Sequence, residues 1–265
     1  MLDFTRRSHQ KELLDNPSVP FEDIRLNMQE LEFINTRLGG HAITISGVLK
    51  LMGNRKKIHI CEIGCGGGDN LKAIETWCLK HGVDAKFTGI DIKDTCIRWA
   101  EENTRSVRHI RFICSDYRLA EQLEKPDIIF SSLFCHHFND EELKEIMVWK
   151  YRHASLGFFI NDLHRHPLAY HSIRILSRLF SSSYLVKHDA PLSVRRGFSR
   201  SDWEKALDET GMLTSEFDES GTLTNEIHES GKTALRLPES EHTIKVLQAE
   251  ITWKWAFRWL IIVRK

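Results

Sequence analysis

The chain has 265 residues, 41% hydrophobic and 28% charged, which suits one large α/β domain with helical additions. Lys plus Arg equals Asp plus Glu at 37 each, so there is none of the basic excess by which proteins grip nucleic acid. The apolar stretches 128–134 and 260–263 are too short to span a bilayer, and six cysteines without a paired spacing or a signal peptide read as reduced thiols in the cytoplasm.

In chain order, Pro20 opens a helix with Ile24, Met28, Leu31 and Ile34 at helical spacing, and Gly39-Gly40 ends it. A second helix over 43–52 stops at Gly53. A strand over 57–63 then runs into glycines. Asp69 is expected to cap the next helix, whose apolar face is Leu71, Ile74, Trp77 and Cys78. Strand, helix and strand follow over 86–92, 95–103 and 109–114. Residues 127–134 are nearly all apolar, as in a strand covered on both faces. Asn139 with Glu142 marks a capping box for a helix over 141–153, and a fifth strand occupies 157–161. This alternation predicts a doubly wound, mostly parallel α/β sheet.

Further on, residues 164–200 carry seven Arg or Lys against one Asp, with a helix near 170–180. Ser201 with Glu204 is expected to cap another helix ending at Gly211. The polar, acidic stretch 214–245 reads as a mobile flap. Residues 251–263 close the chain as strand, turning near Trp255, with Trp253, Trp255, Phe257 and Trp259 expected as strand core.

The segment from Ile60 to Asp69 is the most informative. A strand running through glycines into a helix brings backbone N–H groups close to a nucleotide-like ligand, although a plain tight turn gives the same pattern. A dinucleotide loop needs a small residue where Asp69 stands, and no Lys-Ser/Thr pair follows to make a phosphate loop. Glu62, at the strand end, suits a ligand bearing an ammonium group. Asp91 ends the second strand, where a carboxylate can accept ribose hydroxyls, and Asp116 ends the third, where it can take an adenine amino group. Each acid alone is equally a helix cap or turn residue. Three at successive strand ends are harder to dismiss.

These residues resemble the first motifs of the class I S-adenosylmethionine-dependent methyltransferases. An acid, an apolar residue and G-x-G-x-G are matched by Glu62, Gly64, Gly66 and Gly68, and the second- and third-strand acids by Asp91 and Asp116. The likeness runs from Ile58 to Leu163 and implies a seven-stranded sheet with an antiparallel last strand. It implies S-adenosyl-L-methionine as cofactor, held by these six residues with Ile92, Ser115 and Ser132.

The stretch Ser131 to Phe138, with Asn161 to Arg165 and His188 to Arg196, resembles the small-molecule branch that includes quinone-, phenol- and polyketide-type enzymes. Three readings of His136 and His137 stay open. They cap or pack beneath the loop, or one, His137 first, is a general base, or they join Cys135, His164 and His166 at a metal. Asn161-Asp162 resembles half of a magnesium site, but strand four offers no second carboxylate, so no metal is expected. Arg195 and Arg196 either pair with acids of the flap region, where residues 201–250 hold twelve Asp or Glu against four Lys or Arg, or bind the acceptor.

The expected organisation is an N-terminal helical cover over 1–55 and an α/β domain over 56–265, with a helical insertion at 164–200. The expected activity is methyl transfer to oxygen on a small phenolic or polyketide-like acceptor. Carbon methylation of an electron-rich ring and a non-catalytic binding module are the alternatives. Expected partners are the small-molecule acceptor, with neither nucleic acid nor membrane.

Overall fold

The computed structural model describes residues 2–16, 18–120, 124–212 and 249–265. The acidic stretch 214–245, expected to be a mobile flap, lies outside the described residues.

The described core is one seven-stranded sheet in the order β3-β2-β1-β4-β5-β7-β6. Its strands are β1 (Lys57–Ile63), β2 (Asp84–Asp91), β3 (Ile110–Cys114), β4 (Ile128–Ser132), β5 (Gly157–Leu163), β6 (Ala249–Lys254) and β7 (Arg258–Arg264). The first five are parallel, and β7 alone runs against its neighbours β5 and β6. Chain direction across the sheet reverses between β1 and β4, which opens a crevice at their carboxyl ends.

Strand periodicity sorts the core into two layers. Ile58 and Ile60 of β1, Phe130 of β4, Phe159 of β5 and Leu260 and Ile262 of β7 join one apolar cluster. Cys61, Ile63, Ile129, Phe158, Ile160, Ile261 and Val263, the intervening positions, join the other. Helices α2 (Gly40–Met52) and α3 (Asp69–Lys80) cover the first face. On the second lie α5 (Asp140–His153) and α8 (Arg200–Glu209), with Trp203 fully buried. Helix α1 (Phe21–Arg37), α4 (Asp94–Asn103), α6 (Pro167–Phe180) and α7 (Tyr184–Arg196) complete the chain.

The N-terminal cover therefore divides. α1 and the strap before it lie over the crevice, whereas Val48, Leu51 and Met52 of α2 belong to the sheet core. Gly47 explains the close fit, since a Cβ there would stand 2.7 Å from the Phe159 ring.

Several local expectations change. Gly68, left-handed at φ 72°, occupies the cap position of α3; Asp69 is its first residue, with its carboxylate turned to His41 at 2.7 Å and Asn35 at 3.2 Å. Helix α8 starts two residues early, on a capping box of Ser199 and Asp202, while Glu204 pairs with Arg200 at 2.7 Å. Pro191 disguises α7 in the sequence because proline usually ends a helix, yet here it sits inside one. Of the four aromatic residues expected as strand core in the closing hairpin, only Trp259 is buried; Trp253 is half-exposed and Trp255 stands on the turn, where Ala256 and Phe257 take left-handed φ of 62° and 57°. All six cysteines are unpaired. No helix among the described residues is long and apolar enough to cross a membrane.

Candidate functional site

A cavity of about 640 Å³ occupies the crevice, within the range of small-molecule sites. Its floor is the glycine loop and the ends of β1 to β4; α1 closes it from above with Met28, Leu31 and Ile34. One end is walled by α6, α7 and the β6–β7 turn. Of the expected cofactor residues, Glu62, Gly64, Gly66, Asp91, Ile92, Ser115, Asp116 and Ser132 line it. Gly68 is not among the lining residues. It shapes the loop from behind, where a Cβ would stand 3.1 Å from Phe112 and Thr104.

At Gly64 the loop has no room for a side chain. A Cβ on Gly64 would lie 2.1 Å from the Phe134 ring, and the backbone there is left-handed at φ 69°. The Gly64 and Cys65 N–H groups donate to the Ile90 carbonyl at 2.8 and 3.1 Å, which ties the loop to β2. Asp91 secures it further, its two oxygens accepting Gly66 N–H at 3.0 Å and Lys93 N–H at 2.9 Å. Burial pushes the proton affinity of Asp91 up despite those bonds.

Glu62 is 1% exposed. Its Oε1 accepts from Asn70 at 2.9 Å, while Oε2 is buried without a partner. Burial, then the nearby Asp69, drives its carboxyl well above the usual range. The Ser132 hydroxyl is buried without a partner as well. An orphaned carboxylate oxygen costs free energy that a cationic amino group would offset, so the donor set fits an amino-acid moiety. Asp116 is less free than the sequence suggests. It caps a turn at Arg118 N–H, 2.9 Å away, and both oxygens meet the Arg118 guanidinium, which holds its carboxyl below the usual value.

The other end is built around the two histidines. Leu133, left-handed at φ 52°, turns the chain off β4 into a short 3₁₀ turn over Cys135–His137. His136 is buried, and its Nδ1–H donates to Asp162 of β5 at 2.8 Å. Asp162 also accepts the N–H groups of Phe134 and His136 at 3.2 and 3.3 Å. Glu12, buried in the N-terminal strap, faces Nε2 of His136 at 3.6 Å and Nε2 of His137 at 3.8 Å. Burial alone would strip the His136 proton, but Asp162 and Glu12 outweigh it and raise its pKa to about 9. The same contacts hold Asp162 and Glu12 near 2 against their own burial. His137, one quarter exposed, is pushed down to about 4 by burial and by its charged neighbour His136. The two rings are thus shifted in opposite directions, His136 toward the imidazolium and His137 toward the neutral imidazole.

The strap is pinned deliberately. Asp189 of α7 accepts the Leu13 and Leu14 N–H groups at 2.8 and 2.9 Å, and Ser193 donates to Glu12 at 2.6 Å. Arg7 stacks 4.2 Å over Phe198 and donates to the Phe138 carbonyl at 2.7 Å.

Two sequence readings are corrected here. Arg196 is not a surface charge free for an acceptor: it is buried, donating to the carbonyls of His136, His137 and Gln10 at 3.1, 3.0 and 2.8 Å, with Asp15 3.7 Å away. Cys135 points into the core beside Ser131, and the His164 and His166 rings pack against Phe257, so those three leave the histidine pair. Glu12 was missed in the sequence because nothing local marks it; it lies 124 residues before His136.

Residues 60–155 match the family model described as "Methyltransferase domain". A malonyl-[acyl-carrier protein] O-methyltransferase of Acetivibrio thermocellus is 30% identical over 87 residues, which is 33% of this chain; the match spans only 29% of that relative's length. A SAM-dependent methyltransferase from Aquifex aeolicus shares the fold at TM-score 0.54 and 12% identity, over 91% of this chain and 97% of that one. The plantazolicin methyltransferase BpumL, in complex with SAH, gives TM-score 0.53 and 23% identity over 73% and 70% of the two chains. The segment carrying the glycine loop, Asp91 and Asp116 thus matches a methyltransferase domain, and the sheet has the fold of the class I methyltransferases.

Proposed function

We propose that the chain methylates a hydroxyl of an apolar small molecule of phenolic or polyketide type, with His137 as general base. The observation that carries this reading is the placement of two imidazoles at one cavity wall: His136 buried between Asp162 and Glu12, which raise its proton affinity, and His137 one quarter exposed, with its proton affinity lowered by burial and by His136. Oxygen as the accepting atom agrees with the name of the Acetivibrio relative.

S-adenosylmethionine supplies an electrophilic sulfonium methyl group when bound. Glu62 and Ser132 would receive its amino-acid moiety, Asp91 its ribose, and Ile92 with Asp116 its adenine end. What remains for the protein is orientation and proton removal. The glycine loop and α1 exclude water around the methyl donor, and the Ile173 and Leu176 side chains offer an apolar seat for an acceptor ring. A phenol holds its proton more tightly than imidazole, so His137 takes it as the oxygen–carbon bond forms, at a gain typically of about 10²–10⁴-fold. Arg196 holds the loop through its carbonyls, while Asp162 and Glu12 favour the charge on His136, so that His137 has a lone pair to offer.

The test is incubation with labelled S-adenosylmethionine and a panel of phenolic and polyketide-like acceptors, read by mass spectrometry. One added methyl on oxygen with equimolar S-adenosylhomocysteine supports the reading. A methyl on ring carbon would replace it with carbon methylation, and tight cofactor binding without turnover on any acceptor would leave a binding module.

A further inference from the structure

Helix α6 is amphipathic in an unusual sense. Its buried face is small, chiefly Ala169 and Ser177, while Leu168, Ile175 and Leu179 form an open apolar stripe at i, i+7 and i+11. Leu179 is 69% and Phe180 78% exposed. An apolar stripe usually seeks the core; one left in water marks a docking surface.

Three neighbours define what it fits. Along one edge, Ile173 and Leu176 turn into the cavity, so the stripe continues the cavity's own lining. Across the mouth stands Trp255 on the β6–β7 turn, 77% exposed and lining the same cavity, with Phe257 stacked on His166 at the start of α6. Along the other edge a groove is lined by Lys11, Arg174, Arg178, Lys187, His188 and Arg195, with no carboxylate among its lining residues. Lys11, Arg174, Arg178 and Lys187 have no ionic partner among the described residues. Glu30 is spent on N–H and hydroxyl groups of residues 181–183, and Asp189 on the N–H groups of Leu13 and Leu14 and on His188 at 2.7 Å, which leaves those lysines and arginines as the free charges among the described residues. A cation edge, an exposed Leu/Ile/Phe stripe and an exposed tryptophan beside it are the parts of a helix that lies in the headgroup layer of a bilayer.

We propose that α6 and the β6–β7 turn dock the chain on an anionic lipid surface, with the cavity mouth turned toward the bilayer. The inference replaces the expectation of no membrane partner and stands whichever atom is methylated. The apolar stripe would sink to the acyl boundary while Arg174, Arg178 and Lys187 meet lipid phosphates. The mouth between Leu176 and Trp255 would then admit an apolar acceptor directly from lipid.

Sedimentation of the full chain with vesicles tests it. Strong binding is expected to vesicles of phosphatidylcholine with phosphatidylglycerol and weak binding to phosphatidylcholine alone. Arg174→Gln and Arg178→Gln should each weaken partition about fivefold. The double variant Leu179→Asp, Phe180→Asp should weaken it by at least about tenfold, with cofactor affinity by calorimetry unchanged as proof of folding. Brominated lipid should quench tryptophan fluorescence in the parent and less in Trp255→Phe. Failure of the parent to bind anionic vesicles overturns the proposal, as does parent-like binding by the Asp variant. A parent dimer in solution that Phe180→Asp converts to a monomer overturns it too, by assigning the face to a second copy.

Discussion

The cavity's two ends are made from different kinds of sequence. The cofactor end draws on residues 62–132, at the ends of strands of one sheet, and its polar groups are backbone N–H donors and carboxylate acceptors of adjacent turns. The acceptor end joins Glu12 of the strap, His136 and His137 of the β4 turn, Asp162 of β5 and Arg196 of α7. The first is fixed by the sheet. The second exists only when the strap and α7 have closed over it. Substitutions should therefore separate binding from chemistry.

The largest expected effect is His137→Gln. It keeps hydrogen bonding but removes basicity, and turnover should fall by about 10²–10⁴-fold while the Kd for S-adenosylmethionine stays near the parent value. His136→Gln should cost turnover far less and stability more, because Asp162 would stay buried without its charged partner. Single-turnover rates and urea unfolding on both variants decide this. Equal, mild losses of turnover would make the pair structural and remove the base from this wall.

At the opposite end, Asp91→Ala should weaken cofactor binding by roughly 1–3 kcal/mol, since it would remove the proposed ribose acceptor and free the N–H groups of Gly66 and Lys93. With cofactor saturating, turnover should recover most of the way. Calorimetry that finds parent affinity would move the ribose elsewhere and blur the distinction between the ends.

How far each end was legible follows the same division. Glu62, Gly64, Gly66 and Asp91 carry their meaning locally, because strand periodicity places them and a glycine cluster announces a close approach. The two-layer core was legible for the same reason, down to the Asn139–Glu142 capping box. Glu12 was not, since a lone glutamate in an irregular strap has no period and no motif. Arg196 looked like surface charge because its partners are backbone carbonyls, which the sequence does not display. Helix α7 was hidden by Pro191, and α2 was assigned to the cover because an apolar helix before the first strand does not say which layer it will join.

A smaller effect concerns pH. His136 has a folded pKa raised from 6.5 to about 9, so its contribution to stability is fully present below about pH 6.5 and is lost as pH rises through about 9. Glu12 and Asp162 are depressed to about 2 from 4.5 and 3.8, so theirs is present above those ordinary values and lost as pH falls toward 2. Turnover should keep its base down to about pH 4, where His137 takes a proton, well below an ordinary imidazole. Glu12→Gln should lower the pKa of His136 and bring its alkaline loss of stability to lower pH. Thermal melts across pH, with NMR titration of the two rings, check both statements. An acid limb at 6.5 would mean that His137 does not feel His136 as the geometry requires.

The smallest expected effect is none at all, on removing divalent metal ions. Glu12, His136 and His137 offer ligand atoms within 4.8 Å of one another, a grouping that invites a metal reading. The charges argue otherwise. Asp162 and Glu12 already bind a proton on His136, and the guanidinium of Arg196 lies 3.7 Å from Asp15, beside His137. A divalent ion on Nε2 of His136 would have to displace that proton, and at His137 it would meet the field of a neighbouring guanidinium. Methyl transfer needs only that the acceptor lose its proton, which a bare imidazole accomplishes without a Lewis acid. Turnover in EDTA should equal turnover without it, and metal analysis of the purified chain should find no stoichiometric ion. Loss of activity in chelator, restored by one divalent ion, would turn these three side chains into ligands and make His137 a holder of metal in place of a base.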